Sequence, residues 1–135
     1  MLGDWIGHGI CISQQDTTII SDSLHVAPSL ISDKLLKLDM HETGANLVIK
    51  GYMYHKEGNS YEFQEFNNGI WTVRKFIGEY TGDKFELIEK TEDREILLEW
   101  TIISQSEMRI KESHIKREGE GLVLFVDETF IRIKE

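Results

Sequence analysis

The chain has 135 residues, 40% of them hydrophobic and 29% charged, so residues 1–135 are predicted to form one domain with a buried core. Its 24 acidic and 15 basic residues give a net charge of −9, which argues against a surface for nucleic acid or anionic membranes. The single cysteine, Cys11, excludes an intramolecular disulfide and favours a cytoplasmic location, and no apolar run reaches the ~18 residues of a membrane-spanning segment.

Short apolar runs separated by glycine, asparagine and aspartate predict strands along most of the chain, which contains eleven glycines and one proline. The predicted strands are 4–14, 35–42, 46–56, 60–67, 70–80, 84–91, 94–103, 107–117, 121–127 and 129–135. Residues 15–34 are the one long interruption. Within it, 17–21 could add a strand, and Pro28 is expected to start a short helix near 28–36.

The short connections between these strands determine the predicted topology. Parallel neighbours need a crossover of about a dozen residues, and none fits after residue 40, so sequential strands must pair antiparallel. A sheet this wide curls and closes on itself, which removes its edges. The sequence therefore predicts an all-β, antiparallel up-and-down barrel of eight to ten strands, which can hold one small ligand. The alternative is a two-sheet sandwich whose crossover would lie at 15–34.

Two ends of the chain carry a family resemblance. Gly3-Asp4-Trp5 opens the first strand, and Arg132 lies on the last. This Gly-x-Trp pattern with a distant arginine resembles the calycin superfamily of lipocalin-like barrels, and the following Gly7 and Gly9 make it similar to nitrobindin-like haem barrels. The resemblance implies that Arg132 stacks on Trp5 in a cation–π contact. It does not identify a subfamily, because no histidine follows His114 and no Arg-x-Tyr pair of the fatty-acid-binding kind is present.

Alternation along each strand predicts which side chains face the lumen. The apolar faces of 94–103 and 46–56 carry Trp100 and Met53. On 107–117, the face that begins with Met108 continues to Glu112 and His114. Two faces compete on 70–80: Thr72, Arg74, Phe76 and Tyr80, or Trp71, Val73 and Ile77.

The first strand contains a conflict between the resemblance and the apolar pattern. If Trp5 points inward, Gly7 and Gly9 point inward too, and the isoleucines at 6, 10 and 12 face outward. We interpret the two glycines as clearing volume for a ligand, because glycine weakens a strand unless something approaches closely. Residues 15–34 or a partner subunit would then cover the outward isoleucines. The alternative is that Trp5 lies on the surface.

Three polar side chains suggest chemistry in the lumen. Glu112 could orient His114 as a general base or ligand anchor, and Arg74 could grip a carboxylate or phosphate. The alternative interpretations are that Glu112 and His114 form a polar pair at the rim of the barrel, and that Arg74 is exposed and pairs with a glutamate across the hairpin. The five histidines are scattered with no metal-binding spacing, so no metal site is predicted.

These observations favour a protein that binds one small hydrophobic or amphipathic ligand in the barrel lumen, with haem as a minor variant of this hypothesis. The predicted ligand-binding residues are Trp5, Met53, Arg74, Phe76, Tyr80, Trp100, Met108, Glu112, His114 and Arg132. One alternative is a barrel enzyme, an isomerase, cyclase or lyase that uses Glu112 and His114 as an acid–base pair. Another is an interaction module with a filled core, such as a homodimer formed through the outward isoleucines.

Overall fold

Alternating apolar and polar residues form ten strands in the computed structural model, which describes residues 2–13, 16–28, 34–42, 48–67, 70–92, 94–116 and 122–133. The strands are β1 (Gly3–Ser13), β2 (Thr17–Pro28), β3 (Leu35–Glu42), β4 (Val48–Glu57), β5 (Ser60–Asn67), β6 (Ile70–Thr81), β7 (Lys84–Lys90), β8 (Arg94–Ile102), β9 (Glu107–Lys116) and β10 (Leu122–Arg132). Each strand pairs antiparallel with the next, and β10 pairs with β1. The predicted up-and-down barrel is confirmed, with ten strands and full closure.

One end of the barrel is closed by the contact that the resemblance implies. Trp5 lies opposite Arg132 in the β1–β10 register and is buried, so its inward orientation is confirmed. The Arg132 guanidinium lies 5.8 Å from the centre of the Trp5 ring, and its Nη2 donates a hydrogen bond to the carbonyl of Leu2 at 2.5 Å. Arg132 therefore joins the chain termini at this closed end. The other end, where β1 leads into β2, is called the mouth below.

The predicted interruption at 15–34 is wrong in large part, because β2 runs through it from Thr17 to Pro28. Its inward face reads Asp22, Leu24 and Val26, all buried. The polar run around Asp22 hid this alternation. Pro28 ends β2 and Leu35 starts β3, so both ends of the helix predicted near 28–36 are strand, while 29–33 lie outside the described residues.

The predicted break between 127 and 129 is also wrong. Residues 122–132 form the single strand β10, and Asp127 and Glu128 occupy its two faces. Asp127 points outward and accepts two hydrogen bonds from Arg109 on β9. Glu128 points inward and is 4% exposed, so this acidic pair follows strand alternation instead of making a turn.

The β1 glycines are required by neighbouring parts of the protein itself. A Cβ at Gly7 would lie 2.5 Å from the Phe130 ring and 2.7 Å from Oε2 of Glu128. A Cβ at Gly9 would fall on the Asp127 carbonyl oxygen, so β10 passes too close for any side chain. The interpretation that these glycines clear volume for a ligand is therefore wrong in its cause. They admit β10 and two of its side chains.

The hydrophobic core fills the half of the barrel next to the closed end. Trp5, Met53, Phe76, Met108 and Phe130 are each at most 1% exposed there. The side chains of β6 that point inward include Phe76 and Arg74, so of the two competing faces the one with these residues is internal.

A cavity beside a buried ion network

The half of the barrel toward the mouth contains a cavity of ≈ 230 Å³. Its side chains come from β1–β6 and β8–β10, because alternate residues of each strand face the interior. The lining residues are Cys11, Ile20, Asp22, Leu24, Leu38, Met40, Ile49, Gly51, Phe63, Glu65, Arg74, Leu98, Trp100, Ile110, Glu112, Val126 and Glu128. Most of these are apolar, and the polar ones fall into two groups, one centred on Arg74 and one around β1.

Aromatic side chains form the floor of the cavity where it meets the core. The rings of Phe63 and Trp100 are 6.3 Å apart in an edge-to-face arrangement, which suits the charge distribution of aromatic rings. Trp100 Nε1 donates a hydrogen bond to the sulfur of Met108 at 3.1 Å, so the indole polar group is satisfied away from the cavity. The floor therefore offers an apolar, geometrically fixed surface.

The first polar group is an ion network centred on Arg74. The Arg74 guanidinium lies 2.6 Å from Glu65 on the neighbouring β5 and 2.9 Å from Glu112 on β9 across the barrel. All three side chains are largely buried. The Arg74–Glu65 contact is the cross-strand pair that the sequence allowed, but it lies inside the barrel and not on its surface.

His114 extends this network from behind Glu112. Its Nε2 lies 2.5 Å from Oε2 of Glu112, while the other carboxylate oxygen accepts the hydrogen bond from Arg74. Because a carboxylate accepts, this contact places a proton on Nε2 of His114. Both oxygens of Glu112 are thus engaged by protein groups, and His114 does not itself line the cavity.

The two glutamates titrate in opposite directions. Burial raises the pKa of Glu65, and the Arg74 charge only partly opposes it, with the Glu112 charge raising it further. Burial also raises the pKa of Glu112, but the hydrogen bond from His114 and the charge of Arg74 outweigh it, so the pKa of Glu112 lies below its ordinary value. Glu112 is therefore the stronger acid of the two, and Glu65 takes up a proton first as the pH falls.

The second polar group is acidic and lies around β1. Asp22 on β2 stands opposite Gly7, and Glu128 on β10 stands opposite Gly9. Both carboxyl groups line the cavity and are more than nine-tenths buried. Because Gly7 has no side chain, the Glu128 carboxylate occupies the space where a Cβ at Gly7 would lie.

The structure separates the predicted ligand-binding residues into two sets. Arg74, Trp100 and Glu112 line the cavity. The other predicted residues lie outside the cavity lining. Four of them pack in the core at the closed end, namely Trp5, Met53, Phe76 and Met108, and Tyr80 packs against this core. Arg132 stacks on Trp5, and His114 contacts Glu112. Cys11 also lies on the cavity wall.

Sequence reasoning missed Asp22 and Glu128 as cavity residues. Both occur in segments that were interpreted as non-strand because a charged residue interrupts the apolar pattern. The available signal was the alternation on either side: Leu24 and Val26 after Asp22, and Phe130 after Glu128. A strand pattern with one charged residue on its inward face is the signal that finds such sites.

Other features bear on ligand classes. In the part of the chain that the structure describes, no group of three or more His, Cys, Asp or Glu side chains is arranged to hold a metal ion. The described residues also include no helix long and apolar enough to cross a bilayer.

Comparison with known proteins supports the fold. No family model matches the chain, and no curated protein matches it in sequence. Among solved structures, the S-type phycobiliprotein lyase CPES from Guillardia theta is similar over 99% of this chain and 89% of that chain, with a TM-score of 0.63 and 11% identity. At this identity the likeness concerns the fold alone. The chain has a lipocalin-like β-barrel fold, in agreement with the contact between Trp5 and Arg132.

Proposed function

We propose that this protein binds one compact, largely apolar small molecule in the cavity near the mouth of the barrel. The observation that carries the proposal is the combination of an apolar floor at Phe63 and Trp100 with a fixed polar wall at Arg74 and Glu112. Ligand sites in proteins commonly pair a mainly hydrophobic lining with a few oriented polar groups. A barrel that only served as a scaffold would gain stability by filling this space with side chains.

The size of the cavity favours a small ligand. Its volume of ≈ 230 Å³ lies below the range of roughly 300–1,000 Å³ typical of sites for drug-sized molecules. A single aromatic ring with a short polar tail fits this space better than a macrocycle such as haem. The phycobiliprotein lyase with the similar barrel does not decide the ligand of this chain, since the likeness concerns the fold.

A cavity-filling variant tests the proposal. Val126 lines the cavity on β10, whereas the preceding residue, Phe125, points outward. Val126→Trp therefore places an indole in the cavity, and Phe125→Trp places one on the outer face of the same strand. Isothermal titration with 2-phenylethanol, a neutral probe of suitable size, should show one site per chain in the native protein and in Phe125→Trp. Val126→Trp should lose the site, because the indole occupies it.

The same two variants also show which result would contradict the proposal. Equal binding by Val126→Trp and the native protein would place the probe outside the cavity and contradict the proposal. Circular dichroism and a cooperative thermal transition of each variant show that the loss of binding is not a loss of fold.

The enzyme hypothesis rests on the contact between Glu112 and His114 at 2.5 Å. The geometry argues against this hypothesis, because both carboxylate oxygens of Glu112 contact protein groups and His114 does not line the cavity. A general base must reach the proton that it removes. This geometry favours binding, with Glu112 and His114 as positioning residues for Arg74. Turnover of a cavity ligand that His114→Gln abolishes, while binding persists, would reverse this preference.

A further inference from the structure

Asp22 differs from the other buried acids that face the interior. It is 8% exposed, lies on the inward face of β2 and borders the cavity. Within the described ranges, no side chain or backbone group donates a hydrogen bond to its carboxylate, and no cation pairs with it. A buried carboxylate with no donor costs folding free energy, so its place at a cavity wall calls for a reason.

The contrast with neighbouring acids supports this reading. Glu65 and Glu112 share the Arg74 guanidinium, and Glu89 accepts a hydrogen bond from the backbone N–H of Lys75 at 2.8 Å. Each of these three carboxylates accepts at least one hydrogen bond from a protein group, although Oε1 of Glu89 has no partner among the described residues. Asp22 lies on the cavity wall, where a bound molecule could supply the missing donor.

The charge balance of the wall indicates the sign of that donor. Four carboxyl groups line the cavity, on Asp22, Glu65, Glu112 and Glu128, against the one guanidinium of Arg74. Acidic side chains therefore outnumber cationic ones on the described part of the wall. A low-dielectric cavity strengthens this excess negative potential, so a cation entering it is favoured and an anion is opposed.

We propose that the ligand carries a protonated amine, or an equivalent cationic donor, that forms an ion pair with Asp22 while its apolar body lies on Phe63 and Trp100. This inference rests on the proposed function and adds the chemical class of the ligand to it. Arg74 in this scheme is not an anion receptor, because two glutamates already neutralise it. The hypothesis that Arg74 grips a carboxylate or phosphate ligand is therefore the rival class.

Three probes with the same ring and a different head group separate these classes: 2-phenylethylamine, 2-phenylethanol and 3-phenylpropanoate. Isothermal titration at pH 7 should show that the native protein binds the amine at least about tenfold more tightly than the alcohol, and the carboxylate weakest. Asp22→Asn keeps the shape of the side chain and removes its charge. It should weaken the amine at least about tenfold and leave the alcohol unchanged.

Asp83→Asn is the matched control, because Asp83 lies in the exposed turn between β6 and β7, remote from the cavity lining. It should bind all three probes as the native protein does. If the alcohol binds but Asp22→Asn holds the amine as tightly as before, or the carboxylate binds best, the cationic class is wrong and the cavity proposal stands. If none of the three binds the native protein, both proposals fall.

Discussion

At the residue scale, Arg74 connects parts of the barrel that are far apart in the chain. Its guanidinium joins β6 to Glu65 on β5 and to Glu112 on β9, 38 positions away. Removing one partner of a buried ion pair is costly, because the remaining charge stays buried without compensation. The opposite pKa directions of Glu65 and Glu112 show which carboxylate provides that compensation: the Glu112 pKa is lowered and the Glu65 pKa is raised.

Replacing Glu112 should expose this role through pH. A carboxyl group whose folded-state pKa is lowered stabilises the fold above its unfolded value, near 4.5, and the stabilisation is lost as the pH falls through the folded value. We expect Glu112→Gln to reduce the free energy of unfolding by about 3 kcal/mol at pH 7. The difference from the native protein should shrink once the pH falls below 4.5. Urea unfolding across this pH range measures both effects.

An external ion pair provides the control for that series. Glu99 accepts from Lys84 at 2.8 Å on the outer surface, where pairs contribute about 1 kcal/mol or less. Glu99→Gln should therefore change little at any pH. A loss in Glu112→Gln that stays constant from pH 7 to below 4.5 would show that packing, and not the charge of Glu112, causes it.

At the scale of strands, β6 is the least supported wall of the cavity. It begins at Ile70, but its register with β7 covers only Ile77–Thr81, so among the described residues its first half is paired with β5. The backbone N–H of Lys75 bonds the Glu89 side chain where a strand partner would be expected. The ion pair from Arg74 to Glu112 then holds this half of β6 to the far wall.

Arg74→Met should loosen this strand selectively. We expect hydrogen exchange of the β6 amides before Ile77 to accelerate by at least about tenfold. The exchange rate rises tenfold when the free energy of the local opening falls by about 1.4 kcal/mol. Arg109→Met is the control, because Arg109 makes a comparable pair with Asp127 on the outside of β9 and β10. Equal acceleration in both variants would contradict a special role for the buried pair.

Three strands show what the sequence could and could not predict. The register of β9 was predictable, since Met108 and Ile110 set an apolar face that carries Glu112 inward. On β2 and β10 the inward positions near the mouth are Asp22 and Glu128, which break the apolar pattern that strand prediction relies on. Local rules fail at these two carboxylates because the cavity, a feature of the closed barrel, determines their environment.

At the scale of the whole molecule, the barrel separates a packed half from a half with a cavity. The closed end is fixed by Trp5 and Arg132, and a cluster of buried hydrophobic side chains lies beneath it. The extent of the cavity and the partners of its polar groups depend on strands that come together only when the barrel closes. Sequence patterns predicted the barrel, but not the position of the cavity within it.

The outer surface of the barrel carries exposed isoleucines on β1 and β2. Ile6, Ile10 and Ile12 of β1 are 37–43% exposed, and Ile19 of β2 is 84% exposed beside Ile10. In the described part of 15–34, β2 pairs along the edge of β1 and leaves these isoleucines exposed, so the expected covering is not found there. A homodimer through this face stays a prediction, and its mass would differ clearly from that of a ligand complex.

Native mass spectrometry of the freshly purified protein, beside the Val126→Trp variant, tests the central claim most directly. It reports bound small molecules and oligomeric state in one spectrum. We expect one small molecule per chain, acquired in the cell or on addition of 2-phenylethylamine, that denaturation releases and that Val126→Trp does not hold. A native chain that stays bare after addition of both 2-phenylethylamine and 2-phenylethanol, whether as monomer or dimer, would contradict a ligand-binding cavity.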